Sequence, residues 1–229
     1  MDQPTDASIQ AVAALDEPTR RRLYDHVVAE PAPISREDAA TALGLPRTTA
    51  AFHLDRLVDE GLLTVTHERR TGRTGPGAGR PAKLYRRSDR EIGVSLPERQ
   101  YDVAGQLLAA AMEDAEASGG SPRKALDRRA HQYGESVGRT NPGTPLAEVL
   151  QAHGFEPRRN GSAIELANCP FKALAKNHPD LVCTMTLHLL GGLLDGLGGT
   201  GLQAVLEPRP AHCCVRLMPD SQNAQVRTS

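Results

Sequence analysis

The chain has 229 residues, of which 39% are hydrophobic and only 3% aromatic, and it contains no tryptophan. Its cores must be built from aliphatic side chains, which favours a mostly α-helical protein, and its length suits two small domains. We find no apolar run that approaches the roughly 20 residues of a membrane span, and the acidic N-terminus lacks the layout of a secretion signal. We therefore expect a cytoplasmic protein that does not enter a membrane.

The net charge of −1 hides an uneven distribution along the chain. Residues 1–66 carry six arginines and eleven acidic residues, whereas residues 67–90 carry eight arginines or lysines and two acidic residues. A short segment with a net charge of +6 is typical of an element that contacts a nucleic-acid backbone.

The first 90 residues predict a winged helix-turn-helix domain. Apolar residues recur at helical spacing over residues 8–29, and Pro18 marks a turn between two helices. Ser35, with Asp38 three residues later, predicts the start of a short helix that ends at Gly44. A second helix over residues 47–60 follows, and strands over residues 62–66 and 82–86 enclose a flexible basic segment, the wing.

The second helix of such a domain places its exposed face in the major groove of DNA. Eight residues of this helix and the wing are candidate contacts to bases or phosphates: Arg47, Thr48, Thr49, His53, Arg56, Arg73, Arg80 and Lys83. For any single residue a structural role is an equal alternative, because Arg56 can pair with Glu60 at i+4 and His53 can be a solvated surface residue. The expected partner is double-stranded DNA with a pseudo-palindromic operator, which a homodimer would read.

Residues 91–153 predict a helical linker with helices over residues 98–117, 122–138 and 146–151. The first of these helices carries a narrow, alanine-rich apolar stripe. This stripe suits packing across a two-fold axis, as in a dimerisation region, or packing inside its own monomer.

Residues 154–218 predict a small α+β sensor domain, and residues 219–229 a disordered tail. Asn160-Gly161 indicates a hairpin turn, followed by helices over residues 170–177 and 181–197 and strands over residues 202–206 and 213–218. Gly191 and Gly192 lie inside the longer helix, where glycine is unfavourable, and predict close contact with another backbone.

All four cysteines of the chain lie in this domain, together with His178, His188 and His212. In a reducing compartment, clustered cysteines favour metal binding or redox chemistry over structural disulfides. Cys169 and Cys183 are predicted at helix N-termini, where amide dipoles favour the thiolate. Alternation along the final strand predicts that Cys213, and not Cys214, points to the core with Val215 and Leu217. The residues alone do not choose between iron–sulfur and zinc, and four inert buried thiols are the structural alternative.

Residues 8–88 resemble the arsenic-repressor-type winged regulators of bacteria, through the segments 39–45, 49–54, 60–63 and 79–85. Residues 155–218 resemble the sensor domain of the Suf-operon repressor group, through Cys169-Pro170-Phe171, His178-Pro179, Cys183 and Cys213-Cys214-Val215. The resemblance implies an iron–sulfur cluster, [2Fe–2S] or [4Fe–4S], held by Cys169, Cys183 and Cys213. Members of this group often carry a further cysteine where this chain has Val205, so the fourth ligand is open among Cys214, His212, His178 and a non-protein ligand.

The sequence thus predicts a transcriptional regulator, a repressor, whose DNA affinity depends on a cluster in the C-terminal domain. One alternative is a zinc- or thiol-redox-sensing regulator with the same DNA reader. Another is a regulator or enzyme that binds a small molecule in the C-terminal domain. Enzyme function is not expected, because the sequence has no P-loop, dinucleotide fingerprint, nucleophile elbow or paired carboxylates beside the thiols.

Overall fold

A computed structural model describes residues 4–68, 81–210 and 212–220. The chain forms two compact units, with the boundary between Val94 and Ser95. The predicted wing residues Arg73 and Arg80 and most of the predicted tail, residues 221–229, lie outside the described residues. Within the described residues, the tail expectation fails at Pro219, which ends a strand.

The first unit contains four helices and a three-stranded antiparallel sheet among its described residues: α1 Pro4–Ala14, α2 Pro18–Ala29, β1 Ile34–Ser35, α3 Arg36–Leu43, α4 Arg47–Asp59, β2 Leu63–Glu68 and β3 Ala82–Arg87. The strand order is β1-β3-β2. The two helices α3 and α4 and the hairpin β2-β3 confirm the predicted arrangement. The sequence missed β1, because two residues are too few for a period-2 pattern.

Local signals position α3 and α4. The hydroxyl of Ser35 accepts a hydrogen bond from the Asp38 amide at 3.2 Å, and Asp38 Oδ2 accepts one from the Ser35 amide at 3.2 Å. This reciprocal capping box starts α3, and Gly44, with a φ of +62°, ends it. Leu54 and Leu57 of α4 are fully buried, which fixes one face of α4 against the core.

The second unit contains five helices and a four-stranded antiparallel sheet among its described residues: α5 Tyr101–Ser118, α6 Pro122–Thr140, α7 Leu146–Ala152, β4 Pro157–Asn160, β5 Ala163–Leu166, α8 Lys172–Asn177, α9 Pro179–Leu197, β6 Leu202–Leu206 and β7 Val215–Pro219. The strand order is β4-β5-β7-β6. The hairpin between β4 and β5 turns at Asn160-Gly161, as the sequence predicts, with Gly161 at a φ of +63°.

Helices α6 and α9 pack backbone to backbone through glycines. A Cβ atom at Gly134 would lie 1.9 Å from the carbonyl oxygen of Leu189, and one at Gly192 would lie 2.0 Å from the carbonyl oxygen of His131. One turn further along, a Cβ at Gly138 would lie 2.6 Å from the carbonyl oxygen of Leu193, and one at Gly196 would lie 2.2 Å from that of Glu135. The predicted close contact is therefore confirmed for Gly192, whereas a Cβ at Gly191 would meet nothing within 4 Å.

The sequence predicts a boundary at residue 153 between a helical linker and a sensor domain. The structure shows no boundary there. Residues of α5, α6 and α7 share one hydrophobic core with α9 and the sheet, so everything after Val94 belongs to one unit. Ala104, Leu107 and Ala111, the centre of the α5 stripe, are buried in that core. A periodic pattern shows that a helix has a buried face but does not show what covers it, and here the cover comes from the same chain.

The expectation that no apolar segment is long enough to span a membrane is wrong for α9. By length and composition alone it is long and apolar enough to cross a membrane. Its apolar residues pack instead inside the second unit, and Met185, Leu189 and Leu190 are at most 5% exposed. Core helices of globular domains pass the same test of composition.

Candidate functional site

The exposed face of α4 is the candidate DNA-contacting surface. Arg47, Thr48, Phe52 and Arg56 are exposed on it, while Thr49 is half-buried. The sequence analysis missed Phe52, which is 66% exposed. The sequence does carry a signal for Phe52, because this residue is apolar but lies outside the periodic buried stripe of α4.

Carboxylates pair with the two candidate arginines of α4, Arg47 and Arg56. Arg47 Nη2 lies 2.5 Å from Glu37 Oε1, and Arg56 Nη2 lies 2.5 Å from Glu60 Oε1, so the structural alternative for Arg56 is the one observed. The Arg47 and Arg56 side chains remain 60% and 53% exposed, and both can exchange their carboxylate for a phosphate.

His53 is directed away from the exposed face of α4. Its Nδ1 lies 3.4 Å from Glu17 Oε2, and its side chain is only 12% exposed. Glu17 also caps α2, where its two carboxylate oxygens accept hydrogen bonds from the amides of Thr19 and Arg20. The His53 side chain therefore lies against the start of α2 and largely out of solvent, which argues against its predicted contact with DNA.

Lys83 and Tyr85 connect β3 to α4. Asp55 Oδ1 accepts hydrogen bonds from Tyr85 Oη at 2.7 Å and from Lys83 Nζ. Burial raises the pKa of Asp55, but these hydrogen bonds and the lysine charge outweigh it and lower the pKa below its ordinary value. The contact fixes β3 against the recognition helix, a structural role for Lys83 that the sequence did not predict.

A basic groove of about 550 Å³ lies beside this contact. Its lining includes Arg36, Arg47, His67 and Lys83, with Glu37 as the acidic member. Clustered cations near the first turns of α3 and α4 suit a phosphate backbone. Arg36 was missed by the sequence analysis, which considered only the second helix and the wing.

The second candidate site is a cavity of about 420 Å³ in the second unit, lined by all four cysteines. Cys169 comes from the segment before α8, Cys183 from α9, and Cys213 and Cys214 from the segment before β7. Arg99, Lys172, Lys176 and His212 also line it. His178 does not line this cavity; it caps the end of α8 and is exposed.

The four thiols differ in burial. Cys169 and Cys213 are 8% and 4% exposed, while Cys183 and Cys214 are half-buried. Cys213, Val215 and Leu217 are all buried, as the predicted alternation requires. Cys214 nevertheless reaches the same cavity, because β7 begins only at Val215 and the two cysteines precede the regular strand.

The thiols contact one another in a series that runs from Cys169 through Cys213 and Cys214 to Cys183, and the pKa of Cys169, Cys183 and Cys213 is raised. The hydrogen bond from Cys169 to Cys213, together with burial, raises the pKa of Cys169. That same hydrogen bond lowers the pKa of Cys213, but contact with Cys214 and burial outweigh it and raise the pKa to about 12. Burial likewise raises the pKa of Cys183, although Cys214 donates a hydrogen bond to it.

These shifts oppose the expectation that helix N-termini hold Cys169 and Cys183 as thiolates. Helix α8 begins at Lys172, three residues after Cys169, and Cys183 is the fifth residue of α9. Neither sulfur therefore lies in a first turn, to which the dipole effect is confined. Desolvation and thiol–thiol contacts determine the protonation state instead.

Within the described ranges, no three His, Cys, Asp or Glu side chains are arranged to hold a metal ion. The donor set nevertheless suits an iron–sulfur cluster or a zinc ion in kind and number, because four sulfur ligands line one cavity. Binding would displace the thiol protons and replace the pairwise thiol contacts. Arg99, Lys172 and Lys176 supply positive charge beside the resulting thiolates.

A hydrogen-bond network fastens the start of α5 to the Cys169 segment. Arg99 Nη1 donates to Asn168 Oδ1 at 2.7 Å and to the Cys169 carbonyl at 2.8 Å, and the Gln100 amide donates to the Pro170 carbonyl at 3.2 Å. The buried Asn168 donates in turn to the Gly154 carbonyl at 2.6 Å. Arg99 is 69 residues from Asn168 and 70 from Cys169 in the chain, and no sequence pattern indicates that they pair.

A family model described as a helix-turn-helix domain matches residues 15–66, from the end of α1 into β2. No curated protein and no solved structure matches the chain. The match ends before the second unit and says nothing about the cysteine cavity. It covers α2, α3, α4 and the first part of β2, and the first unit therefore contains a helix-turn-helix domain of the kind found in DNA-binding transcriptional regulators.

Proposed function

We propose that this protein is a transcriptional repressor whose DNA affinity is set by an iron–sulfur cluster bound at the four-cysteine cavity. One observation supports the proposed cluster site: all four cysteines, from three separate segments of the chain, line one cavity. The helix-turn-helix domain supports the DNA-binding half. We further propose a homodimer, because pseudo-palindromic operators present two equivalent half-sites to this class of reader.

Cys169, Cys183, Cys213 and Cys214 are the proposed ligands. Cys214 is favoured as the fourth ligand because it lines the cavity and its thiol contacts both Cys183 and Cys213. His212 lines the cavity as well and is the next candidate, whereas His178 is outside it. When bound, the cluster would supply an oxygen- and redox-labile bond between the segments that carry the cysteines.

We propose that the residues around Arg99 couple the cavity to the DNA-binding unit through the continuity of the chain. Residues 95–100 are the part of the second unit that follows the helix-turn-helix unit in the chain. Arg99 and Asn168 hold this stretch to the Cys169 segment. We propose that a change in ligation at Cys169 alters the position of this stretch, and with it the DNA-binding unit; the coupling is reciprocal, so DNA would change cluster affinity by the same factor.

The test begins with anaerobic purification, followed by iron, sulfide and zinc analysis and a visible spectrum. Stoichiometric iron and sulfide with visible absorption support the proposal, and Cys169→Ser should abolish the absorption while the protein stays folded. His178→Ala, exposed and outside the cavity, is the matched control and should keep it. A protein that contains neither iron nor sulfide, and gains none on anaerobic reconstitution, would contradict the cluster.

A thiol-redox or zinc regulator is the second candidate, and the pairwise thiol contacts favour the redox form. Contacts between Cys169 and Cys213 and between Cys183 and Cys214 suit two disulfides. In each, two thiols lose two protons and two electrons to an oxidant such as hydrogen peroxide, which becomes water. Colourless, zinc-free protein that forms these two disulfides with peroxide and then changes its DNA affinity would favour the redox regulator. Bound zinc would favour the zinc regulator.

A further inference from the structure

Phe52 lies on the exposed face of α4 and is not part of the core. Its side chain is 66% exposed, while Leu54 and Leu57 of the same helix are fully buried. Thr48 and Arg56, one turn before and one turn after it, are exposed as well. Phe52 therefore occupies the middle of the face that a recognition helix presents to DNA.

The Phe52 ring contacts its neighbour in the chain. The Phe52 ring meets the His53 ring edge to face, with centroids 5.2 Å apart and an interplanar angle of 71°. Nδ1 of His53 lies 3.4 Å from Glu17 Oε2. The Phe52 ring thus has the histidine ring on one side, while 66% of its surface stays exposed on the outer face of α4.

We propose that Phe52 reads a thymine in each half-site by contact of its ring with the C5-methyl group in the major groove. The inference rests on the proposed DNA-binding function and deepens it by naming a base. A phenyl ring has no hydrogen-bonding group, and the thymine methyl is the apolar group that base pairs of unmodified DNA present in the major groove. The charged neighbours cannot supply this contact, because Arg47 and Arg56 are suited to phosphates or to guanine.

The experiment removes the methyl group alone. Full-length protein first selects its preferred sequence from random double-stranded DNA, and each thymine of that site is then replaced singly by deoxyuridine. At one position in each half-site, the replacement should weaken binding of the wild-type protein by about threefold to tenfold. Phe52→Ala should bind the thymine site more weakly by a similar factor and should no longer distinguish thymine from uracil at that position.

Arg56→Ala is the matched control on the same exposed face. It should weaken binding to every site and keep the difference between thymine and uracil, and melting curves should show that both variants are folded. The proposal is overturned if no thymine is sensitive to loss of its methyl, or if Phe52→Ala keeps the sensitivity.

Two further outcomes would overturn the proposal in distinguishable ways. A change of oligomeric state in Phe52→Ala, with thymine discrimination intact, assigns the ring to a protein contact and leaves the proposed DNA function in place. Failure of the wild-type protein to select any sequence removes the proposed function together with this inference.

Discussion

The guanidinium of Arg99 donates a hydrogen bond of 2.8 Å to the carbonyl oxygen of Cys169, 70 residues further along the chain. The same Nη1 donates to the side chain of Asn168, which is only 6% exposed. One side chain at the start of the second unit thus holds the backbone beside a buried thiol.

Replacing Arg99 tests whether this contact transmits the state of the cysteines. Arg99→Ala should destabilise the second unit by about 1–3 kcal/mol, since the acceptor on buried Asn168 loses its donor. It should also reduce the change in DNA affinity between the reduced, cluster-loaded protein and the oxidised protein. Binding curves in both states measure this change, with Arg123→Ala, an exposed arginine of α6, as the control. A full response in Arg99→Ala would contradict the role assigned to the contact.

The glycine contact between α6 and α9 predicts opposite effects at two adjacent positions. Gly192→Ala should destabilise the second unit by about 3 kcal/mol or more, because its Cβ would lie 2.0 Å from the His131 carbonyl oxygen. Gly191→Ala should stabilise it by about 0.5–1 kcal/mol, since a Cβ there meets nothing within 4 Å and alanine favours the helix. Chemical denaturation of the three proteins measures both effects. Equal effects at the two positions would refute the close packing.

The four thiols should differ in reactivity in metal-free, reduced protein. Cys183 and Cys214, which are half-buried, should react with iodoacetamide before Cys169 and Cys213, by a factor on the order of ten. Contact with Cys213 and burial raise the pKa of Cys169, and contact with Cys214 and burial raise that of Cys213 despite the opposite effect of Cys169, so both lack the thiolate that the reagent requires. Time-resolved mass spectrometry of the labelled peptides gives the order. Fast labelling of Cys169 in folded protein would contradict it.

Asp55 should make the stability of the first unit depend on pH in the acid range. Its pKa is lowered in the folded protein, so its contribution is present above the ordinary carboxyl pKa of about 3.9 and is lost as the pH falls through the lower, folded value. Asp55→Asn should lower stability at pH 7 by about 1 kcal/mol or less, because the carboxylate is half exposed. Thermal melting of both proteins from pH 7 down to about 3 should show this difference shrinking below about pH 4. A constant difference would exclude Asp55 as the titrating group.

Arg47 and His53 should separate DNA affinity from stability. Arg47→Ala should weaken DNA binding at low salt and reduce the slope of log affinity against log salt by about one, as expected for one lost phosphate contact. His53→Ala should lower the stability of the first unit by about 1 kcal/mol, because it removes a side chain that is only 12% exposed, and should leave the salt slope unchanged. Salt titrations of DNA binding and melting curves provide the two measurements. A reduced salt slope in His53→Ala would show that the histidine contacts phosphate after all.

Local signals in the sequence determined most of the secondary structure. Ser35 and Asp38 start α3, Gly44 ends it, and Asn160-Gly161 turns the β4-β5 hairpin, because each is a short-range interaction between residues at most four apart. The alternation that buries Cys213 with Val215 and Leu217 is local in the same sense. Such signals are complete within a few residues and can be read without knowing the fold.

Tertiary structure alone decided which surfaces meet. The apolar stripe of α5 is equally suited to a partner chain and to its own core, and only the fold shows that α6 and α9 share its core. His53 has the sequence position of a DNA contact, yet its side chain lies against Glu17 and is only 12% exposed. The four thiols gather at one cavity because α9 and the segments before α8 and β7 end up side by side, although up to 45 residues separate them in the chain. Periodicity specifies that a side chain is buried but not its partner, and contacts between distant residues depend on how whole elements pack.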